Sequence, residues 1–317
     1  MSFRTRAPLC LAQDLVVAVG LCACSGEPVS SGLEEPIRVL GGQFRQGALP
    51  GHSPLTVDEI KAGKQPKKPY STPVDVAGSI LSENEIGFSV GGRASTDSYS
   101  VALQLKDAGS GYWVLPVGSP DPANGGELSW RTSLDLGPVE PGMHDLMIAA
   151  IDGQGRSGTQ RAFEFCVRSE IEDNLNACVP TREPPGLVVS LGWSNKADLD
   201  LLVLDEAGNR ISANSVQSDD AGRLERDANA NCRSEGTPRE NVVWDKKPKA
   251  GLYYIYVNLS DPCSESSAAF TVSTHVSKSA GGGEFKQVET YNTAGELLAT
   301  QASNAGLGTF VTEFSVK

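Results

Sequence analysis

From Val74 to Val316 the apolar residues fall in short runs with a period of two, and turn residues end each run before a helical period can develop. Asp107-Ala-Gly-Ser-Gly, Pro122-Ala-Asn-Gly-Gly, Asp152-Gly-Gln-Gly, Glu206-Ala-Gly-Asn and Asn292-Thr-Ala-Gly are such breaks. They combine glycine, which accepts positive φ, with Asp and Asn, which bond to their own backbone. With 34 Gly, 19 Pro and only 6% aromatic residues, the composition suits many short strands. A chain of 317 residues is long enough for two cores. The expected fold is all-β, with two β-sandwich domains in tandem.

The first sandwich is expected over 74–167, in strands Val74 to Leu81, Ile86 to Val90, Ser98 to Leu105, Tyr112 to Val117, Glu127 to Leu134, His144 to Ile151 and Thr159 to Val167. The second is expected over 187–317 with a jelly-roll-like strand count, from Leu187 to Trp193 through Gly308 to Val316. Thr181-Arg-Glu-Pro-Pro-Gly marks the boundary, because paired prolines favour extended chain. Residues 24–73 show little apolar periodicity and read as a flexible tether, with one helical turn capped by Thr56.

Arg4 and Arg6, the apolar run from Leu15 to Ala23 and then Cys24 describe an export signal over 1–23. The run is too short for a transmembrane helix, which needs about 20 apolar residues. Leu21-Cys22-Ala23-Cys24 resembles the bacterial lipobox. That resemblance implies lipid attachment at Cys24, a membrane anchor, and an outer-membrane location because Ser25 rather than Asp follows the cysteine. A formal net charge of −12 argues against nucleic acid as a partner. A protein or a glycan remains as the unidentified partner.

Four of the seven cysteines lie outside the leader. An exported chain with an even number implies disulfides, and proximity within segments selects Cys166 with Cys178 and Cys232 with Cys263. The first bridge closes a linker over 168–186, and in the chain-entropy model such a loop is worth roughly 3 kcal/mol. Neither pair has the spacing of a zinc site.

The densest chemistry lies in Trp193 to Asp205. Asp198 and Asp200, two apart on a strand, point to one face, while Leu199, Leu201 and Val203 fill the other. Glu225 and Asp227 follow in a second cluster, and Glu240 in a third. Five carboxylates without His or Cys suit a hard cation, so Asp198, Asp200, Glu225, Asp227 and Glu240 are candidate ligands of a structural calcium, with Asn195 and Asn229 available to complete the shell. The competing arrangement pairs Asp198 and Asp200 with Arg226 or Arg239, and leaves Glu240 capping a turn.

The expected function is that of a non-enzymatic binding or structural module on the cell surface. Only three histidines occur, and no nucleophile elbow, His-Glu-x-x-His or phosphate loop is present. Two alternatives stay open: a carbohydrate-binding module using Tyr253, Tyr254 or Tyr256, and a carboxylate-dependent hydrolase pairing Asp198 with Glu225 or Asp227.

Two family resemblances can be stated. Pro141-Gly-Met-His-Asp-Leu-Met-Ile-Ala-Ala-Ile-Asp-Gly-Gln-Gly resembles the last hairpin of bacterial immunoglobulin-like domains. Trp193, then Ala197-Asp-Leu-Asp-Leu, Gly222-Arg-Leu-Glu-Arg-Asp, Pro238-Arg-Glu-Asn-Val-Val-Trp and Pro248-Lys-Ala-Gly-Leu-Tyr-Tyr resemble the YfaP-type domain of secreted bacterial proteins. The second resemblance implies an all-β sandwich without established enzymatic activity. It departs from the family pattern at Glu225 and in the insertion of Cys232.

Overall fold

The computed structural model describes residues 31–72, 75–76, 79–120, 126–218, 221–234, 236–303 and 306–317. The expected signal segment and Cys24 lie outside the described residues. The chain is mostly β, arranged as tandem sandwiches.

In the first sandwich, strands β1 (Ile37–Val39), β8 (Leu128–Leu136), β5 (Phe88–Ala94) and β3 (Asp75–Val76) form one antiparallel sheet in that order. The facing sheet runs β2 (Gln43–Gln46), β7 (Gly111–Pro116), β6 (Ser98–Leu105), β9 (Gly142–Asp152), β10 (Arg161–Arg168) and β4 (Ile80–Ser82), with β10 and β4 parallel. Alternation decides what is buried. On β7, Gly111, Trp113 and Leu115 turn inward while Tyr112 and Val114 face out. Val90, Leu134, Leu103, Ile148 and Phe165 meet from the two sheets in one core. Trp130 and Trp113 belong to it, and the Trp113 indole donates to the Ile37 carbonyl at 2.8 Å.

The expected tether requires correction over the described residues 31–72. Strands β1 and β2 pair with β8 and β7, and Ile37 and Val39 are core residues. Farther on, Leu49 packs on the outer face of β6 and β9 against Ala102, Met147 and Ala149. The Lys67 amide bonds to Thr159 Oγ1 at 2.8 Å, and the His52 amide to the Gly158 carbonyl at 2.7 Å. The reason for the misreading is that apolar residues spaced this widely show no period, yet each finds a hole in an existing sheet. The Thr56 cap is as expected and starts α1 (Val57–Lys61) through a reciprocal bond with Glu59.

In the second sandwich, β14 (Gly222–Leu224), β15 (Arg239–Trp244), β11 (Leu187–Trp193), β17 (Ser267–Gly281) and β18 (Glu284–Leu298) form one sheet. The other is β13 (Arg210–Ile211), β12 (Asp198–Asp205), β16 (Gly251–Asp261) and β19 (Thr309–Val316). Leu191, Leu199, Leu201, Trp244, Ile255 and Val272 form its core. Tyr253 points inward, edge-on to Trp244 at 5.8 Å and stacked on Phe314 at 5.3 Å, which removes it from any surface role. Strand β18 runs without a break to Leu298 and is followed by a short 3₁₀ turn at Ala299–Gln301. Strands β13 and β14 went unforeseen because two or three residues cannot display a period.

Cys166 bonds to Cys178 and Cys232 to Cys263, the expected pairing. Two disulfides belong to an oxidising, extracytoplasmic compartment. The loop closed by the first bridge carries buried polar side chains. Asp173 is buried and accepts from the Leu175 and Ala177 amides, both at 2.8 Å. Asn176 is buried too and donates to the carbonyls of Pro180, Arg182 and Phe285, the last near the tip of the β17–β18 hairpin.

Because β1 completes the first core, Ile37→Ala should cost about 2–5 kcal/mol in urea denaturation, the range for a deleted core side chain. A tether residue would leave the midpoint unmoved.

Candidate metal centre

Strand β12 enters the second sandwich through a tightly held turn. The Trp193 indole donates to the Ala197 carbonyl at 2.7 Å, and the Asn229 amide donates to the carbonyls of Asn195 and Ala197 at 3.1 Å each. Asn195 uses its own amide on the Ser267 carbonyl and its oxygen on the Ala197 N–H. The Asn195 side chain thus holds the loop instead of joining a ligand shell, as does the Asn229 amide nitrogen.

At the head of β12 the ladder with β16 is irregular. Asp198 faces Asp261, and Leu199 faces Leu259, so Ser260 is the extra residue of a bulge. Its hydroxyl is re-aimed onto Asp200 Oδ2, which also receives the Asn258 amide at 3.4 Å. From the other side, the Asn231 amide donates to Asp198 Oδ2 at 3.0 Å. Asn229, Asn231 and Cys232 all have left-handed φ, which bends this segment back over the strand end.

The result is a convergence of Asp198, Asp200 and Asp227, each offering one oxygen, with those oxygens within 4.8 Å of one another. Asp198 is only 8% exposed, and its Oδ1 is buried without a hydrogen-bond partner. Burial, followed by the charges of Asp200, Asp227 and Asp261, pushes the Asp198 carboxyl up to about 6 against the pull of the Asn231 N–H. Neither Asp198 nor Asp200 forms an ion pair with an arginine among the described residues. Arg239 reaches Glu170 at 2.8 Å and Ser190 at 3.1 Å, while Arg226 Nε donates to the Arg239 carbonyl. This cluster could hold a metal ion.

Two of the five expected ligands stand elsewhere. Glu240 is completely buried and accepts from the Leu201 amide at 2.8 Å and the Ala228 amide at 3.0 Å. Burial first, then the charges of Asp200 and Asp227, raise its carboxyl well above the usual range. It lies behind the cluster and clips β12 to the segment that carries Asp227. Glu225 is exposed and accepts from the Asn241 amide at 3.0 Å. It faces a polar cleft of about 1030 Å³ at the linker, lined by Glu83, Arg168, Glu170, Arg182 and Arg239 among others. The cause is alternation: Glu240 is on the core side of β15, while Glu225 lies past the end of β14. Ser260 and Asn258, which orient Asp200, were missed; their signal was alternation along β16, placing both on the face opposite Val257 and Leu259.

No family model matches the chain, and no curated protein matches it. Among solved structures, one described as "The Enterococcus faecalis MSCRAMM ACE binds its ligands by the collagen Hug Model" is 9% identical, with 77% of this chain and 96% of that chain covered. The TM-score is 0.21.

Glu240→Gln puts an amide N–H against a backbone N–H and should destabilise the domain by about 1–3 kcal/mol in urea denaturation. The pH response has a defined sign. With the folded-state value of Asp198 at about 6 and the ordinary value at 3.8, the folded chain holds the proton more tightly. In chelator its contribution therefore stabilises increasingly as pH falls from above about 6 toward 3.8 and is lost as pH rises through about 6. Asp198→Asn should flatten this slope in a series of urea midpoints against pH.

Proposed function

We propose that this chain is an exported, non-enzymatic binding or structural module, anchored as an outer-membrane lipoprotein through Cys24, whose second sandwich is clamped by a structural calcium ion at Asp198, Asp200 and Asp227. The observation that carries the calcium reading is the buried, unpartnered Oδ1 of Asp198 within a three-carboxylate cluster. Three carboxylates held this closely repel one another, and a hard divalent cation with oxygen ligands cancels that repulsion. The clamp would join the head of β12 to the segment before the 3₁₀ turn at Ala230–Cys232.

A hydrolase has less support. The oxygens of Asp198 and Asp227 lie within 4.8 Å, tighter than the about 5 to 9.5 Å that a glycosidase pair needs across a substrate. His144 bonds to the Glu140 carbonyl and His275 to the Ser273 hydroxyl, so both have structural partners.

A binding role for glycans is favoured by the outer face of the β12–β16–β19 sheet. Register aligns Asp200 with Asn258, Leu202 with Tyr256, and Tyr256 with Phe310. Phe310 is 51% exposed and its ring meets Tyr256 edge-on at 5.5 Å. Oxygen-rich and aromatic groups thus stand one strand step apart, on a scale that matches a sugar ring with hydroxyls on one edge and C–H groups on its face. Glycan-array binding that disappears in Phe310→Ala would support this role, and silence across a broad array would remove it.

Calcium at about one hundred times its Kd should stabilise the folded chain by about 2.7 kcal/mol, seen as a raised thermal midpoint reversed by chelator. Asp198→Asn and Asp200→Asn should each abolish the shift. An unchanged midpoint at millimolar calcium in the native chain would refute the clamp.

A further inference from the structure

Resting on the calcium reading above, we propose that the Cys232–Cys263 bridge is the positioning element of the acidic cluster, so that the cation is held tightly only by the oxidised chain. Each half of the bridge belongs to a segment that sets one carboxylate. On one side, Cys232 follows Asn231, whose amide donates to Asp198 Oδ2 at 3.0 Å. On the other, Cys263 donates its own amide to Asp261 Oδ1 at 2.7 Å, and Asp261 is the strand partner of Asp198. Immediately before Asp261, Ser260 holds Asp200. The bridge joins these two segments across 31 residues of sequence.

Asn229 ties the start of this segment to the carbonyls of Asn195 and Ala197, and from Asn231 onward the bridge at Cys232 is its covalent tie to the strand that carries Ser260. Asn229 and Asn231 adopt the left-handed φ that asparagine tolerates, while Cys232, Cys263 and Ser264 hold the same φ, which their residue types adopt far less readily. Among the described backbone bonds here, the Arg233 amide reaches only the Ala230 carbonyl, three residues back. With the bridge open, nothing covalent keeps the Asn231 amide over Asp198, and the carboxylates separate under their own repulsion.

The two bridges differ in access. Cys232 is exposed and Cys263 half-buried, whereas Cys166 is buried and its partner Cys178 half-buried. Closing the Cys232–Cys263 bridge removes two protons and two electrons from the thiols and passes them to a disulfide oxidant, which leaves as a dithiol. A dithiol reductant reverses the step and reaches this bridge, with its exposed Cys232, before the less accessible Cys166–Cys178. The cation site therefore forms after export into an oxidising compartment, and a bound cation in turn protects the bridge, because coupling between two equilibria is reciprocal.

The test titrates calcium into the oxidised native chain and into the double variant Cys232→Ser/Cys263→Ser, by calorimetry, with circular dichroism establishing that the variant is folded. Affinity should fall about tenfold or more, a coupling of ordinary allosteric size. A second measurement needs no variant. In a dithiothreitol redox buffer, calcium should raise the reduced-to-oxidised ratio that half-opens Cys232–Cys263 by the same factor and leave Cys166–Cys178 unmoved, as read by thiol trapping and mass spectrometry. Calcium binding to the oxidised native chain together with an equal affinity in a folded variant, or with an unmoved redox midpoint, overturns the proposal. Absence of binding to the oxidised native chain would instead overturn the calcium reading on which it rests.

Discussion

The second sandwich turns on one buried carboxylate. Glu240 projects from β15 into the space between the sheets and receives two backbone amides, Leu201 from β12 and Ala228 from the connection after β14. Both bonds lie where water does not reach, so neither donor has an alternative acceptor there, and losing either leaves a buried polar group unpaired. By fixing Ala228, Glu240 fixes the neighbouring Asp227. By fixing Leu201, it fixes the register at which Asp200 and Asp198 emerge. The acidic cluster is built on that clip, with Asn231, Asn258 and Ser260 orienting its carboxylates.

Two kinds of carboxylate meet around this clip. Burial raises the Glu240 carboxyl, yet two backbone amides satisfy it, whereas Asp198 is buried with an oxygen left over. A group of the first kind holds a fold together. A group of the second kind, beside Asp200 and Asp227, could hold a metal ion.

Around this centre the molecule is joined through side chains and loops. The linker closed by Cys166–Cys178 is anchored on the first sandwich by the Glu170 amide bonding to Glu83. On the second it is anchored by Arg239 reaching Glu170 and by Gln287 donating to the Glu172 carbonyl at 2.6 Å. Burial raises the Glu83 carboxyl, with the Glu170 amide opposing it. The tip of the β17–β18 hairpin completes the contact through Phe285 and Pro180.

By itself the sequence determined the strand class, the cysteine pairing and the core face of β12. These rest on local rules: alternation with period two, turn residues between runs, and bridges within short segments. Leu199, Leu201 and Val203 were legible as core for that reason. Residues 31–72 and the true membership of the acidic cluster were decided only by the tertiary structure. Ile37 and Leu49 are isolated apolar residues whose burial depends on a sheet formed elsewhere in the chain. Glu225, Asp227 and Glu240 look alike in the sequence. What separates them is which face of a strand each occupies and which backbone amides come within reach, and both are set by the packing of one sheet on the other.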